Sequence, residues 1–131
     1  MKSFDLVYVV EDDAITSKIT ELHLRQHGAF GQVQRYKNGQ PALDALLRAT
    51  AYSTRLPDLI LLDLNMPVMD GWEFLDALST QSWQELVSVC VLTSSIHPGD
   101  IEKAKTYPEV KGYFSKPVTF SLLSQVVQLL S

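Results

Sequence analysis

What this chain has little of narrows the reading first. It carries a single cysteine, Cys90, so no intramolecular disulfide can staple it, and a reducing, cytoplasmic setting is expected. Basic residues number 11 against 15 acidic ones, a formal net charge of −4, and the cations are scattered along the chain. Phosphate backbones are held by clustered Lys and Arg, so a nucleic-acid partner is disfavoured. No apolar run approaches the roughly 20 residues of a membrane span. The opening stretch "MKSFDLVYVVEDD" is too short and too soon acidic for a signal peptide. Prolines and glycines form no linker-like cluster, and no internal repeat is visible. With 46% hydrophobic and 20% charged residues over 131 positions, residues 1–131 read as one globular domain able to bury its own core.

What is present is alternation. Apolar runs at 5–10, 59–62, 86–92 and 112–114 have the character of buried strands, and a weaker, more polar run at 32–36 reads as an edge strand. Cys90, inside the 86–92 run, is expected to serve as a small buried hydrophobe. Between the runs lie helix-period segments. The first, 14–27, has Asp13 as its cap, Gly28 as its stop, and Ile15, Ile19 and Leu22 on one stripe. The others span 39–51, 71–79, 98–106 and 119–130, with Pro41 and Pro98 early in theirs. The pattern predicts an α/β, doubly wound five-stranded parallel sheet with helices on both faces. Ligands of such sheets bind beyond the carboxyl ends of the strands.

The stretch "LILLDLNMPVMDG", residues 59–71, then raises a question. A strand buried on both faces stops at Asp63, an expensive place for a carboxylate unless it is paired or meant to react. The turn that follows, with Asn65, Met66, Pro67 and Asp70-Gly71, is rich in residues that fix backbone shape. Reading the position just past each strand collects Glu11 and Asp12, Asp63, Thr93 and Ser94, and Ser115-Lys116-Pro117 on one rim. Converging carboxylates repel by roughly 4 kcal/mol per pair at about 4 Å in an effective dielectric near 20, so a cation is required. Hard oxygen ligands without histidine or cysteine at ligand spacing point to Mg²⁺. Lys116 adds a fixed positive charge and Thr93 a hydroxyl donor, a set suited to phosphoryl transfer onto a carboxylate. Taken singly, each of these residues has a plain alternative. Acids after strands often cap helices, as Asp13 is expected to, and a Lys-Pro pair is commonly a surface turn.

At these residues the sequence resembles the receiver domain of two-component response regulators, of the stand-alone, chemotaxis-regulator-like kind. The matching pieces are "VVEDD", "LLDLNMPVMDG", "VLTSS" and "GYFSKP", in the family's order along the whole chain. The resemblance implies a flavodoxin-like (βα)5 fold with strand order 2-1-3-4-5. It implies that Asp63 accepts a phosphoryl group from a phosphohistidine on a sensor histidine kinase or a histidine phosphotransfer protein. Asp12, Asp63 and the backbone carbonyl of Asn65 would hold Mg²⁺, Glu11 would act through water, and Lys116 would pair with the phosphoryl oxygens. Thr93 and Tyr113 would be the switch pair, altering a surface around the fourth helix, fifth strand and fifth helix that a downstream protein reads. In the acid run, Glu11 and Asp12 are favoured over Asp12 and Asp13 as the family's pair. Ser94 replaces an alanine common at that position, and Asn65 and Ser95 stand where the family tunes water access, so the lifetime of the phosphorylated state is open.

The remaining residues are weaker pointers. His23, His27 and His97 read as solvated helix positions, Met66 and Met69 as packing for the turn, Trp72 as a neighbour of the site, and Trp83 as partly exposed. In the last helix, apolar residues cover about half the circumference, and Leu122, Val126 and Leu129 are read as a face for a partner or for a homodimer. Rival functions are a relay shuttle or phosphate sink, a Mg²⁺-dependent aspartyl-phosphate phosphatase, and a scaffold that kept the fold alone. The phosphatase family of the haloacid dehalogenase type places its nucleophile after the first strand with a second acid two residues on, whereas here Asn65 stands at that position.

Overall fold

The computed structural model describes residues 4–66, 69–94 and 97–131. Pro67 in the turn and Ser95 after the fourth strand fall outside that range. Five strands alternate with five helices: β1 (Phe4–Val10), α1 (Ala14–His27), β2 (Phe30–Tyr36), α2 (Gly39–Ala51), β3 (Leu59–Asp63), α3 (Gly71–Ser79), β4 (Val89–Thr93), α4 (Pro98–Ala104), β5 (Val110–Ser115) and α5 (Phe120–Leu130). All pairings are parallel and the order is β2-β1-β3-β4-β5, the flavodoxin-like arrangement expected. Every residue of β3 and β4 is buried, which is why these strands read as continuous apolar runs.

Two cores sandwich the sheet. On one face Leu46 of α2 and Phe74, Leu75 and Leu78 of α3 pack against Tyr8, Val10, Ile60 and Leu62, with Met66 buried among them and Met69 against them. On the other, Leu24 of α1 and Leu122, Leu123, Val126 and Val127 of α5 pack against Val7, Val9, Leu61, Cys90 and Leu92. Cys90 is fully buried, and burial pushes its thiol up to about 12.

Local chemistry sets the helix ends. Gly28 takes φ 87°, the left-handed conformation that closes α1. The Asp70 side chain accepts from the Glu73 amide at 2.9 Å while the Glu73 side chain accepts from the Asp70 amide at 3.2 Å, a reciprocal cap legible as D-x-x-E.

Several expectations need correction. Ile15, Ile19 and Leu22 are 71%, 47% and 46% exposed; α1 instead turns Ser17, Thr20 and Leu24 inward. On α5, Leu122 and Val126 are buried against the sheet, so of the face read for a partner or second copy only Leu129 is exposed. The run 86–92 begins one turn too early: Gln84–Leu86 is a 3-10 turn, Leu86 is exposed, and the strand starts at Val89. His27 is not simply solvated, since its ring stacks on Phe120 and its Nε2 lies 2.9 Å from the Ser124 hydroxyl. Trp72 stacks with Tyr107 and lies under the Lys103 ammonium, so it braces α3 against the α4 side.

At the strands' opposite, amino-terminal end Asp58 pins β1 by accepting from the Asp5 and Leu6 amides at 2.8 and 3.1 Å and pairing with Arg55. Burial acts to raise its carboxyl, but Arg55 and the two amides outweigh it and hold it below the usual range. A carboxylate held low in the folded state stabilises above its unfolded value of about 3.9 and loses that contribution as pH falls through the folded value. Asp58→Ala is expected to lower unfolding free energy at pH 7 by about 1–3 kcal/mol, and the deficit relative to wild type should shrink below pH 4 in urea titrations.

Candidate functional site

The parallel sheet delivers to one rim the groups that follow β1, β3, β4 and β5. Glu11, Asp12 and Asp63 each offer a carboxylate oxygen within 4.8 Å of the others. Glu11 and Asp63 are 6% and 5% exposed, while Asp12 faces solvent. The ambiguous acid run therefore divides. Asp13 is the exposed cap of α1, bonded to the Thr16 amide and hydroxyl, and its own amide donates to Glu11 Oε2 at 3.2 Å.

Lys116 reaches across from the end of β5. Its ammonium pairs with Glu11 Oε1 and stands 3.5 Å from Asp63 Oδ2. Its position is tied to β4, because its amide donates to the Thr93 carbonyl at 2.8 Å. Burial alone works to lower the Lys116 ammonium, but Glu11 and Asp63 outweigh it, leaving the amine above its ordinary value and charged. Burial pushes Glu11 up against the opposing Lys116 bond, with the Asp63 charge adding to the rise. Asp12 is raised as well, by desolvation first and then by Glu11. Two carboxyls held high beside a third group of the same sign mark a site short of positive charge.

The loop after β3 fixes Asp63 further. The Asn65 amide donates to Asp63 Oδ1 at 3.3 Å, and Asn65 itself is exposed on the rim. The start of α3 presses against the end of β3: the Gly71 amide donates to the Leu64 carbonyl at 3.0 Å, and a Cβ at Gly71 would stand 2.7 Å from Leu64 Cα and 2.8 Å from the Asp63 carbonyl. Only glycine fits there, which is the physical reason for the Asp70-Gly71 pair.

Thr93 is buried at the end of β4 and Ser94 is exposed beside it. Tyr113, in register with Val91 on the neighbouring strand, is half-buried. Its hydroxyl is enclosed without a well-formed hydrogen bond among the described residues. Burial, then the Asp100 charge, raise its phenol, with the Thr93 side chain acting the other way.

A family model for the response regulator receiver domain matches residues 7–128. The chain belongs to that family. A two-component response regulator from Cytophaga hutchinsonii, known as a crystal structure, is 29% identical and superposes with a TM-score of 0.89 over 98% of each chain. The phosphorylated cyanobacterial phytochrome response regulator RcpA is 30% identical, with a TM-score of 0.77, 96% of this chain and 90% of that one being covered. Response regulator Rcp1 of Synechocystis is 28% identical over 94% of this chain and 84% of its own. Its Mn²⁺-bound form has a TM-score of 0.74 at 27% identity, over 95% of this chain and 89% of that one. This receiver is thus a two-component signalling protein by family, and none of its described helices is long and apolar enough to cross a membrane.

Sequence reasoning named the rim residues but missed what lies beside them. The α1 stripe of Ile15, Ile19 and Leu22 begins one residue after Ala14, at the edge of the acidic rim, and faces outward. The signal is present in the sequence as an i, i+4, i+7 apolar stripe.

Proposed function

We propose that this receiver accepts a phosphoryl group on Asp63 from a phosphohistidine donor in a Mg²⁺-dependent reaction and signals through protein contacts. The observation that carries the reading is the meeting of Glu11, Asp12, Asp63 and Lys116, from three strand ends, at the carboxyl edge of the sheet. The all-oxygen donor set, with Asp12 open to water, fits a hard divalent ion. Bound there, Mg²⁺ would supply the positive charge that three carboxylates and an arriving phosphoryl group need; Asp12, Asp63 and the Asn65 carbonyl are the residues to hold it, with Glu11 acting through water.

A carboxylate oxygen of Asp63 forms a bond to phosphorus as the phosphorus–nitrogen bond of the donor breaks, and the electron pair leaves with the imidazole. Lys116 moves from its present carboxylate partners toward the phosphoryl oxygens. The Thr93 hydroxyl turns to the same oxygens, and Tyr113, whose hydroxyl has no well-formed bond to give up among the described residues, rotates into the vacated space. The altered surface of α4, β5 and α5 is what a downstream protein reads. Incubation with phosphoramidate and Mg²⁺ should add one phosphoryl group by intact mass; no gain under any metal condition refutes the reading.

The exposed α1 stripe supports a protein rather than a small-molecule donor, since apolar side chains beside the acceptor give a helical donor domain a surface to rest on. Ile15→Lys with Ile19→Glu is expected to slow transfer from a histidine-phosphorylated protein at least tenfold while leaving phosphoramidate labelling unchanged. Equal loss with both donors would place the damage in the site itself.

A further inference from the structure

A groove of about 920 Å³ lies on the α2 side of the sheet's β2 edge, away from the carboxylate rim. Its origin is local. Gln32, Gln34 and Tyr36 alternate onto one face of β2, in register beside Leu6 and Tyr8 of β1, and the buried α2 residues that line that face are Ala45 and Ala49. Two methyl groups do not fill the space above β2. The volume falls within the roughly 300–1,000 Å³ usual for small-molecule sites.

The lining has a definite chemistry. The Tyr8 and Tyr36 rings meet at 4.9 Å with their planes tilted by 57°, and since Tyr8 is buried, it is the half-buried Tyr36 that gives the groove an accessible aromatic ring. The Tyr36 hydroxyl donates to Gln34 Oε1 at 3.0 Å, which orients that carboxamide and leaves its NH₂ group to donate. At the rim, Arg55 is committed to Asp58 and Asp5, and Arg35 to Glu21. Arg48, exposed on α2, lines the groove and forms no ion pair among the described residues. Asp5 at the far end repels added negative charge, which disfavours a long acidic peptide along the floor.

A flat ring with hydrogen-bonding edges and one anionic group matches these features. We propose that the groove between α2 and β2 binds a nucleoside monophosphate, its base on Tyr36 and Gln34 and its phosphate on Arg48. Stacking supplies the hold on the ring, the carboxamide reads its edge, and the guanidinium takes two phosphate oxygens.

The full chain, free of divalent metal, is titrated with AMP, GMP, adenosine and inorganic phosphate, and amide shifts are followed by NMR. Binding by a monophosphate with shifts concentrated in 32–36 and 45–55 supports the site. Arg48→Gln, an exposed position whose change does not threaten folding, should weaken AMP or GMP at least tenfold, and adenosine should bind wild type at least tenfold more weakly than AMP. Three results overturn the proposal: no monophosphate binding at millimolar concentration, phosphate binding as tightly as AMP, or shifts centred on Glu11, Asp12 and Asp63.

Discussion

Asp63→Asn is expected to abolish phosphoryl uptake, with intact-mass spectra showing one added group on wild type and none on the variant after equal exposure to phosphoramidate and Mg²⁺. An amide keeps the oxygen that accepts from the Asn65 amide, so the loop is retained, but it is neither a competent nucleophile nor an anionic ligand. Removing the nucleophile of a covalent catalyst costs on the order of 10⁴-fold or more. Asp13→Asn is the matched control: its side chain caps α1 from the solvent side, so uptake should stay near wild type. Equal labelling of wild type and Asp63→Asn would move the acceptor elsewhere, and loss on Asp13→Asn would reassign the acid run.

Asp12→Asn is expected to stabilise the metal-free protein while removing its response to Mg²⁺. Burial, and then neighbouring charge, hold both Asp12 and Glu11 above their ordinary values. A carboxyl raised in the folded state binds its proton more tightly folded than unfolded. The folded state therefore loses stability as pH climbs from the unfolded values of about 4 through the raised ones, and the full penalty is present at neutral pH. Carboxylate oxygens within 4.8 Å of one another repel by at least about 3.5 kcal/mol at an effective dielectric of 20. With Asp12 open to water, the share recovered by the substitution is about 1 kcal/mol. Mg²⁺ at ten times its dissociation constant should stabilise wild type by about 1.4 kcal/mol and the variant by little. Urea unfolding at pH 5 and pH 7, with and without the ion, reads all of this. A variant less stable without metal, yet fully responsive to it, would contradict the crowded-charge account.

The sheet was legible because its inner strands are buried on both faces: Leu59–Leu62 admits no other reading once Asp63 and a shape-fixing turn follow it. The rim was legible for the same reason, since parallel strands place whatever follows each of them at a common edge. Helix faces were harder. In α1 Ile15, Ile19 and Leu22 point outward, and the inward positions are Leu24 with Ser17 and Thr20, the last of which donates its hydroxyl to the Thr16 carbonyl at 2.8 Å. Leu24 is buried while Leu22 is 46% exposed, so burial there follows which side of the helix meets the sheet, and an apolar-or-polar pattern does not record that. In α5 the error ran the other way. Leu122 and Val126 sit with Leu123 and Val127 in one broad face, all of it used by the sheet. Lys116 was legible as a charge, but its bond to Glu11 was not, because 105 positions separate them and only the assembled sheet joins β1 to β5 through β3 and β4.

The enclosed thiol of Cys90 has a practical corollary. A sulfhydryl that burial holds at about 12 stays unreactive toward maleimide dyes in the folded protein. A single cysteine introduced at exposed Glu102 on α4 would then be the sole attachment point, and a spin label or fluorophore there would report movement of that helix without first engineering a thiol-free background.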